Sequence, residues 1–347
     1  MRIAGRPLGP EHPPYVIAEL SGNHNQSIDT AIQLIEAAKA QGADAVKLQT
    51  YTPDTMTLDL AKPPFLIEGG LWEGRTLYDL YREAHTPWDW FPKLMAAAAR
   101  VKIACFSSPF DATAVDFLET LNVPAYKVAS FELCDHALIR KIAMTGKPMI
   151  VSTGQSSLAE IDDGVRIARE AGAKEIVLLH CVSAYPAPPE SMNLRTIPHL
   201  GTAFGVPAGL SDHTRGNAAA VASVALGACM IEKHFTLSRA AGGPDSSFSM
   251  EPHELADLVT SVNAAWRALG KVEYTLEKSE EENRTFRRSL FVVKDVKAGT
   301  ILTAEHVRAI RPGQGLEPRY LDRVLGAVAQ VDIARGTPLA WEHFVKR

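Results

Sequence analysis

The stretch VPAGLSDHTRGNAAAVASVALGACMIEKH, residues 206–234, decides the fold. Two apolar runs, VPAGL and ACMIE, lead into His213 and His234, and a run of small residues suited to a tightly packed helix lies between them. The pattern predicts a strand, a helix and a second parallel strand, with one imidazole at the carboxyl end of each strand. Two neutral imidazoles side by side suit a divalent metal ion. Two unrelated histidines, one in a turn and one in the core, would give the same spacing.

The same organisation recurs through the first 240 residues, where amphipathic stretches, several ending in glycine, separate most of the apolar runs. Strands of this kind alternating with helices predict a parallel sheet covered on both faces. Eight units in this length predict a (β/α)₈ TIM barrel, with a doubly wound open sheet as the alternative. No glycine-rich nucleotide motif supports the open sheet. The eight runs are YVIAEL (15–20), DAVKLQ (44–49), KIACFSS (102–108), AYKVAS (125–130), PMIVST (148–153), EIVLLHC (175–181), VPAGLSD (206–212) and ACMIEKH (228–234).

Length and composition narrow the class of protein. A chain of 347 residues suits one barrel-sized domain and a smaller one. Its formal net charge of −4 gives no reason to expect nucleic acid or an anionic membrane as a partner. The N-terminus lacks a long apolar segment, so we expect a cytoplasmic protein. The four cysteines show no CxxC spacing, which predicts buried, reduced thiols.

Each predicted strand begins apolar and ends polar. The carboxyl ends of barrel strands share one face, so this pattern predicts one active site built from all eight ends. These polar residues are Glu19, Lys47, Gln49, Ser107, Ser108, Lys127, Ser130, Ser152, Thr153, His180, Ser183, Ser211, Asp212, His213, Glu232, Lys233 and His234.

Lys47 and Lys127 interrupt apolar runs, where an ammonium group is costly unless an anion compensates it. One possibility is a buried ion pair with Glu19 or Glu132. The other is a substrate phosphate or carboxylate, held by the lysines together with the hydroxyl groups of nearby serines. An anion site beside a metal site indicates a condensation or lyase reaction. A barrel aldolase that forms a Schiff base through Lys127 or Lys233 is a third possibility.

Several strings in barrel order resemble the sialic acid synthase family, the phosphoenolpyruvate-dependent nonulosonic acid synthases. The tail 288–316 and the string LAWEHF resemble that family's small, β-rich antifreeze-like (SAF) domain. We therefore expect a barrel over 1–272, a charged linker over 273–287 and the SAF domain over 288–347. The strings in the barrel are IAELSGNHNQS (17–27), ADAVKLQT (43–50), YKVASFE (126–132), VSTGQ (151–155), HCVSAYP (180–186), GLSDHT (209–214), EKHFT (232–236) and GGPDSSFSMEP (242–252).

Within this family the strings at 71–90, 180–188 and 242–252 look closest to the pseudaminic acid synthase branch. Ser183 stands where synthases of N-acetylneuraminic acid usually carry asparagine. The resemblance implies condensation of phosphoenolpyruvate with 2,4-diacetamido-2,4,6-trideoxy-L-altrose, water addition and phosphate release by C–O cleavage. Synthesis of N-acetylneuraminic or legionaminic acid from another acetamido sugar is the alternative. A non-catalytic sugar-binding barrel is an alternative of a different class.

The resemblance also implies a role for each matching residue. His213 and His234 would be catalytic and would hold a divalent metal, with Mn²⁺ the usual ion and Mg²⁺ or Co²⁺ as alternatives. Glu19 would be a catalytic carboxylate near the reacting carbons. Phosphoenolpyruvate would be bound by Lys47, Lys127, Ser130, Ser152, Ser183 and Ser211.

The sugar would contact Tyr185 and Asp245 of the barrel and Arg311 of the tail. The resemblance implies that Arg311 reaches the partner subunit's site in a domain-swapped homodimer. Two features stay open at this point. The aromatic segment 60–90 could form a lid over the sugar or pack onto the barrel, and His24 could bind substrate or fix its loop.

Overall fold

The structure is a computed structural model that describes residues 1–346. Its contacts divide the chain into two compact units, the first spanning Met1–Gly270 and the second beginning at Lys271. The first unit carries the eight predicted strand and helix pairs, and the second is built from short strands.

The first unit is a closed barrel of eight parallel strands in which the last strand pairs with the first. Closure confirms the predicted TIM barrel and excludes the open sheet. A short hairpin of Arg2–Ile3 and Arg6–Pro7 precedes the barrel. The barrel strands are β1 Tyr15–Glu19, β2 Ala45–Thr50, β3 Ala104–Pro109, β4 Tyr126–Val128, β5 Met149–Ser152, β6 Ile176–Cys181, β7 Ala208–Asp212 and β8 Met230–His234.

A helix that packs on the barrel follows each strand, and local sequence explains where several of these helices begin. The side chains of Ser27, Asp111, Asp135 and Ser157 each accept a hydrogen bond from a backbone N–H in the first turn, which satisfies a donor that the helix leaves free. The helices bury their apolar faces against the sheet. They are α1 Ile28–Ala40, α2 Phe91–Val101, α3 Ala112–Thr120, α4 His136–Ala143, α5 Leu158–Glu170, α6 Thr196–Phe204, α7 Ala218–Ala225 and α8 Pro252–Leu269. Two shorter helices, Pro53–Met56 and Leu77–Ala84, lie in the connection between β2 and α2.

The strand register brings the polar strand ends to one level. Glu19 is the register partner of both Lys47 on β2 and His234 on β8. Asp212 on β7 is the register partner of Lys233 on β8. Successive side chains on a strand point to opposite faces, so these pairs fall into an inner set and an outer set.

The second unit contains an internal repeat in which DVKAGTIL (295–302) matches DIARGTPL (332–339). Val296 and Ile333 exchange backbone hydrogen bonds of 2.9 and 2.8 Å. The Asp295 carboxylate accepts the Arg335 N–H at 2.7 Å, and the Asp332 carboxylate accepts the Ala298 N–H at 2.9 Å.

Both halves of the repeat turn at a glycine, Gly299 and Gly336, with positive φ. The strands of the second unit are β9 Ser289–Val292, β10 Val307–Ile310, β11 Val328–Ala329 and β12 Phe344–Val345.

All four cysteines are free, and Cys105, Cys181 and Cys229 are buried as predicted. Cys134 is exposed, so the prediction of burial was wrong there, because the residue lies in the turn after β4 rather than within a strand. None of the helices in residues 1–346 combines the length and the apolar character needed to cross a membrane.

Gly209 on β7 provides a test of barrel packing. A Cβ at this position would lie 2.4 Å from the Met230 carbonyl oxygen on β8 and 2.8 Å from the Leu179 side chain on β6. We expect Gly209→Ala to destabilise the barrel by about 1–3 kcal/mol, because the crowding atom is backbone and cannot move aside. Urea unfolding followed by circular dichroism measures the change.

The matched control is Gly201→Ala in α6, where the nearest atom to the new Cβ would be 3.4 Å away. This variant should unfold at the wild-type urea concentration or slightly above it, because alanine is the better helix former. Equal midpoints for Gly209→Ala and the wild type would contradict the packing described for β6, β7 and β8.

Candidate active site

A cavity of about 350 Å³ lies at the carboxyl ends of the barrel strands and collects most of the predicted site residues. Nearly all strands contribute to its wall, as the polar strand ends predicted. The predicted residues on its wall are Glu19, Lys47, Lys127, Ser130, Ser152, Tyr185, Ser211, His213, His234 and Asp245.

Lys47 is at the centre of a buried ionic cluster. Its Nζ atom lies 2.8 Å from Glu19 Oε2 and 3.5 Å from Glu232 Oε1, and it donates a 3.2 Å hydrogen bond to the Ser108 hydroxyl. The sequence-based alternative of a buried pair between Lys47 and Glu19 is therefore correct. The second carboxylate near Lys47 belongs to Glu232, and not to Glu132, which was the other partner considered from sequence.

The two carboxyl groups of this cluster have pKa values shifted in opposite directions. Burial, reinforced by repulsion from Glu232, raises the pKa of Glu19 to about 7 against the attraction of Lys47. Burial acts on Glu232 too, but the positive charges of Lys47 and Lys127 outweigh it and lower the pKa of Glu232. Burial also opposes the charge on Lys47, whose pKa is nevertheless raised by the two carboxylates. Glu19 is the group in this cluster that can exchange a proton near neutral pH.

A hydrogen-bonded chain connects Glu19 to Asp245 across the cavity. Gln49 Nε2 donates to Glu19 Oε1 at 2.9 Å and to the Ser21 hydroxyl at 3.2 Å, and that hydroxyl donates to Asp245 Oδ2. Burial raises the pKa of Asp245, whose side chain lines the cavity. These hydrogen bonds fix the orientation of the Glu19 and Asp245 carboxyl groups, which both face the cavity.

Lys127 differs from Lys47 because it has no carboxylate partner. Its side chain is buried and lines the cavity, and its Nζ atom donates to the Val128 carbonyl at 2.9 Å. Within residues 1–346 no carboxylate oxygen approaches this ammonium to within 4 Å. The buried hydroxyl of Ser152, on the same cavity wall, has no hydrogen-bond partner. An uncompensated cation beside an unused donor is suited to a bound anion.

Ser183 lies at the edge of this anion site rather than on the cavity wall. Its hydroxyl lies next to Gly154, where a Cβ atom would be 2.4 Å from Ser183 Oγ and 2.8 Å from Ser130 Oγ. The Gly154 N–H donates to the Ser130 hydroxyl at 3.1 Å. Any side chain at position 154 would therefore displace these two serines, so glycine is required for their close approach.

His213 and His234 lie side by side, with ring centroids 5.2 Å apart. Tyr185 packs against both rings, 4.4 Å from His213 and 6.3 Å from His234. Phe248 packs 4.9 Å from the His234 ring and 5.3 Å from Tyr185. The predicted pair of imidazoles therefore forms one aromatic cluster at the cavity wall.

The chemistry of the two histidines fits a divalent metal ion. His213 Nδ1 donates a hydrogen bond to the Val182 carbonyl oxygen 3.0 Å away, so Nε2 is the ring nitrogen left for a metal. The Nδ1 atom of His234 is buried without a hydrogen-bond partner, and burial holds the pKa of His234 well below its usual value. His234 is therefore a neutral imidazole. Residues 1–346 contain no cluster of three His, Cys, Asp or Glu ligands, so water or substrate would supply the other positions.

Lys233 does not enter the cavity. Its ammonium lies 3.0 Å from Asp212 Oδ2 and donates to the Thr214 carbonyl, on the outer face of the strands. The suggestion that Lys233 forms a Schiff base was therefore wrong, because alternation along β8 turns Lys233 away when Glu232 and His234 point inward. Lys127, the other lysine considered for a Schiff base, does line the cavity.

The aromatic segment 60–90 both lines the cavity and packs on the barrel. Trp72 lines the cavity, donates from its indole N–H to the Pro244 carbonyl at 2.9 Å and lies 5.8 Å from the Tyr185 ring. Trp88 instead stacks on Phe117 of α3 at 4.7 Å. Packing onto the barrel is therefore confirmed for the part that carries Trp88, and a lid over the sugar stays a prediction for the part that carries Trp72.

His24 fixes its own loop and does not line the cavity. Its Nδ1 accepts the Gln26 N–H at 3.2 Å, its Nε2 lies 3.2 Å from the Thr86 hydroxyl, and its ring packs against Trp90. Burial lowers the pKa of His24 to about 4, so the ring is neutral. Of the two roles considered from sequence, the structural role fits these contacts.

Arg311 belongs to the second unit, where its side chain is exposed just after β10. Its expected role in a partner subunit's site stays a prediction.

Three residues of the site were not predicted from sequence: Ser21, Phe248 and Cys181, which belong to the cavity or its aromatic cluster. Glu232 was predicted as a strand-end residue of the site but was given no role. Cys181 ends β6 and faces the cavity, and the alternation of side chains along that strand could have indicated this. Ser21 and Phe248 lie in connecting loops, where sequence spacing does not predict direction.

Comparison with known proteins places the chain in a family. Residues 34–274 match the NeuB family. The chain belongs to the NeuB family. Residues 287–345 match the SAF domain, which confirms the predicted C-terminal module. Members of this family depend on a metal.

Individual relatives cover nearly the whole chain. A pseudaminic acid synthase of Helicobacter pylori is 44% identical over 329 residues, which cover 94% of this chain and 97% of the relative. An N,N'-diacetyllegionaminic acid synthase of Campylobacter jejuni is 36% identical over 323 residues, covering 90% and 95%. A crystal structure of an N-acetylneuraminic acid synthetase from Leptospira borgpetersenii, in complex with citrate, is similar with a TM-score of 0.73 at 30% identity. That similarity covers 82% of this chain and 94% of the other.

The different surroundings of the two buried lysines predict different effects on stability. Lys47→Met leaves Glu19 and Glu232 buried without their cation, and we expect a loss of about 3–5 kcal/mol at pH 8. Lys127→Met removes a buried charge that lacks a carboxylate partner, so stability should stay near the wild-type value or rise. Urea unfolding without substrate measures both.

The loss of stability in Lys47→Met should also depend on pH. A carboxyl group whose folded-state pKa is raised stabilises the fold at low pH and loses that contribution as the pH rises through this pKa. Removing Lys47 takes away the main interaction that favours the ionised Glu19, so the loss in Lys47→Met should be larger at pH 8 than at pH 6. Equal losses for both lysine variants at pH 8 would contradict the cluster described here.

Proposed function

We propose that this chain is a pseudaminic acid synthase, which condenses phosphoenolpyruvate with 2,4-diacetamido-2,4,6-trideoxy-L-altrose and releases phosphate. The proposal depends on the presence, in one cavity, of a buried Lys127 without a carboxylate partner and of two adjacent histidines. An anionic substrate and a metal-activated carbonyl substrate need these two sites side by side. Membership of the NeuB family supports the same reaction.

The anion site would hold phosphoenolpyruvate. Lys127 and the unpartnered Ser152 hydroxyl would bind its phosphate or carboxylate, with Ser130, Ser183 and Ser211 around them. Lys47 would contribute a second positive charge while remaining paired with Glu19 and Glu232. The buried positions of both lysines would exclude water from the anion and strengthen its binding.

The histidine pair would hold the divalent metal, for which Mn²⁺ is our first candidate and Mg²⁺ or Co²⁺ are alternatives. A bound metal would supply Lewis acidity toward the aldehyde of the open-chain sugar. His213 and His234 would fix its position, and the hydrogen bond from His213 to Val182 would keep one ring nitrogen free as a donor to the metal. Tyr185 and Asp245, which face the same space, would contact the sugar.

The reaction would proceed by carbon–carbon bond formation followed by hydration. The methylene carbon of phosphoenolpyruvate would attack the aldehyde carbon, which leaves a cationic centre at the carbon that bears the phosphate. Water would add to that carbon and lose a proton, and the C–O bond to phosphate would then break. Glu19, with its pKa raised to about 7, is the residue suited to take the proton from water.

Two observations favour 2,4-diacetamido-2,4,6-trideoxy-L-altrose as the sugar. The relative named as a pseudaminic acid synthase is 44% identical, against 36% for the legionaminic relative. The connection after β2 also gives the cavity an apolar side, on which a methyl group is accepted and a hydroxyl group would lack a partner. That side is formed by Met56, Ile67, Trp72, Leu77 and Leu80.

The test is incubation of the full chain with phosphoenolpyruvate, Mn²⁺ and a panel of acetamido sugars, with phosphate release and product mass as the readouts. We expect the altrose derivative to give the highest kcat/KM, by about 10-fold or more over sugars with a 6-hydroxyl group. Chelation should stop turnover, and added Mn²⁺ should restore it. Turnover that survives complete metal removal would disprove the metal-dependent mechanism, and a preference for another sugar would reassign the product.

We also propose a domain-swapped homodimer in which Arg311 completes the sugar site of the partner subunit. The guanidinium group offers several donors in a rigid fork, which suits an N-acetyl oxygen. The proposed domain limits are 1–272, 273–287 and 288–347. The unpaired, scattered cysteines support a cytoplasmic location.

Complementation between two inactive variants tests whether Arg311 acts in the site of the partner subunit. His213→Ala and Arg311→Ala should each be inactive alone. After the two are unfolded together and refolded, half of the dimers should be mixed, and one of the two sites in each should be intact. Activity should therefore recover to about one quarter of the wild-type value. No recovery, with mixed dimers verified by mass, would show that Arg311 does not act across subunits. His199→Ala, an exposed histidine, is the control that should stay active.

A further inference from the structure

We infer that the buried ion pair between Asp212 and Lys233 positions the two histidines of the metal site. This inference rests on the proposed function, because it assumes that His213 and His234 hold the metal. Neither charged residue lines the cavity, so neither would touch metal or substrate. Both act from behind the strands that carry the histidines.

The pair joins two strands at one register position. Asp212 ends β7 and is the register partner of Lys233 on β8, with 3.0 Å between Asp212 Oδ2 and Lys233 Nζ. The side chains are 0% and 2% exposed, so the attraction between their charges is not weakened by solvent. Each charged residue directly precedes a histidine in the chain. The bond between the charges therefore limits the separation of the two histidines.

The same pair also clamps the backbone beyond His213. The Asp212 carboxylate accepts the Thr214 N–H at 2.8 Å, and the Lys233 ammonium donates to the Thr214 carbonyl. His213 therefore lies between a residue fixed by its side chain and a residue fixed by its backbone. With the 3.0 Å hydrogen bond from its ring to Val182, His213 has little freedom to move away from His234.

A structural role alone would make a different prediction. Replacing a buried ion pair with apolar residues of similar size is often neutral for stability, while removing one partner is costly. If the pair only stabilised the barrel, an apolar double variant would bind metal as the wild type does. If the pair positions the histidines, the double variant would be more stable than the single variants but would not recover metal affinity, because apolar side chains leave the Thr214 N–H and carbonyl without their partners.

The experiment measures Mn²⁺ binding to the full chain at pH 7.5 without substrates, by electron paramagnetic resonance of free Mn²⁺. The variants are Lys233→Met, Asp212→Asn and the double variant Asp212→Leu/Lys233→Met. Positioning residues behind metal ligands typically change affinity by about 10–100-fold, and we expect weakening of that size in all three. Urea unfolding, run in parallel, should show the largest losses for the single variants and a smaller loss for the double variant, which buries no unpaired charge but leaves the Thr214 backbone groups without partners.

The control is Lys141→Met, which breaks an ion pair with Asp116 on the barrel surface and should leave Mn²⁺ affinity unchanged. Double-variant affinity within twofold of the wild type would overturn the inference, whatever the single variants do. If the single variants fail to fold, the double variant alone decides. Absence of Mn²⁺ binding by the wild type would instead disprove the metal site, and with it the proposed function and this inference.

Discussion

The buried ammonium of Lys47 holds the site together. Two carboxylates, Glu19 on β1 and Glu232 on β8, face the barrel interior at the level of the strand ends, where neither could remain ionised without a nearby cation. Lys47 supplies that cation, and Ser108 satisfies part of its remaining hydrogen-bonding capacity. Because β1 pairs with both β2 and β8, this cluster spans the place where the barrel closes.

The contrast between Lys47 and Lys127 explains how one cavity can serve two different substrates. The charge of Lys47 is balanced by protein carboxylates, whereas that of Lys127 is not, so a ligand anion is attracted to the side of the cavity nearer Lys127 and Ser152. The two histidines lie elsewhere on the same wall, together with Tyr185. Distribution of charge, rather than shape alone, therefore separates the two proposed binding regions.

The cavity is layered from its wall outward. The inner set of strand-end residues faces the ligand space, and the outer set, Asp212 and Lys233, lies behind it and joins neighbouring strands. Connections beyond the strands then add the remaining wall, with Trp72 hydrogen-bonded to the loop that carries Asp245. Rigid strands thus carry the ionic and histidine groups, while the longer connections carry the aromatic and apolar groups that would contact the sugar.

The sequence by itself determined the eight strands, the barrel class, the polar strand ends and the small repeat in the tail, because each depends on local periodicity and on turn-forming residues. It also indicated which residue types would meet at the carboxyl face. Only the tertiary structure decided that Lys47 pairs with Glu232, which lies far away in sequence, and that Lys127 has no carboxylate partner. It likewise separated Trp72, on the cavity wall, from Trp88, packed on a helix. These outcomes depend on barrel closure, strand register and loop direction, which bring distant residues together and which no local pattern specifies.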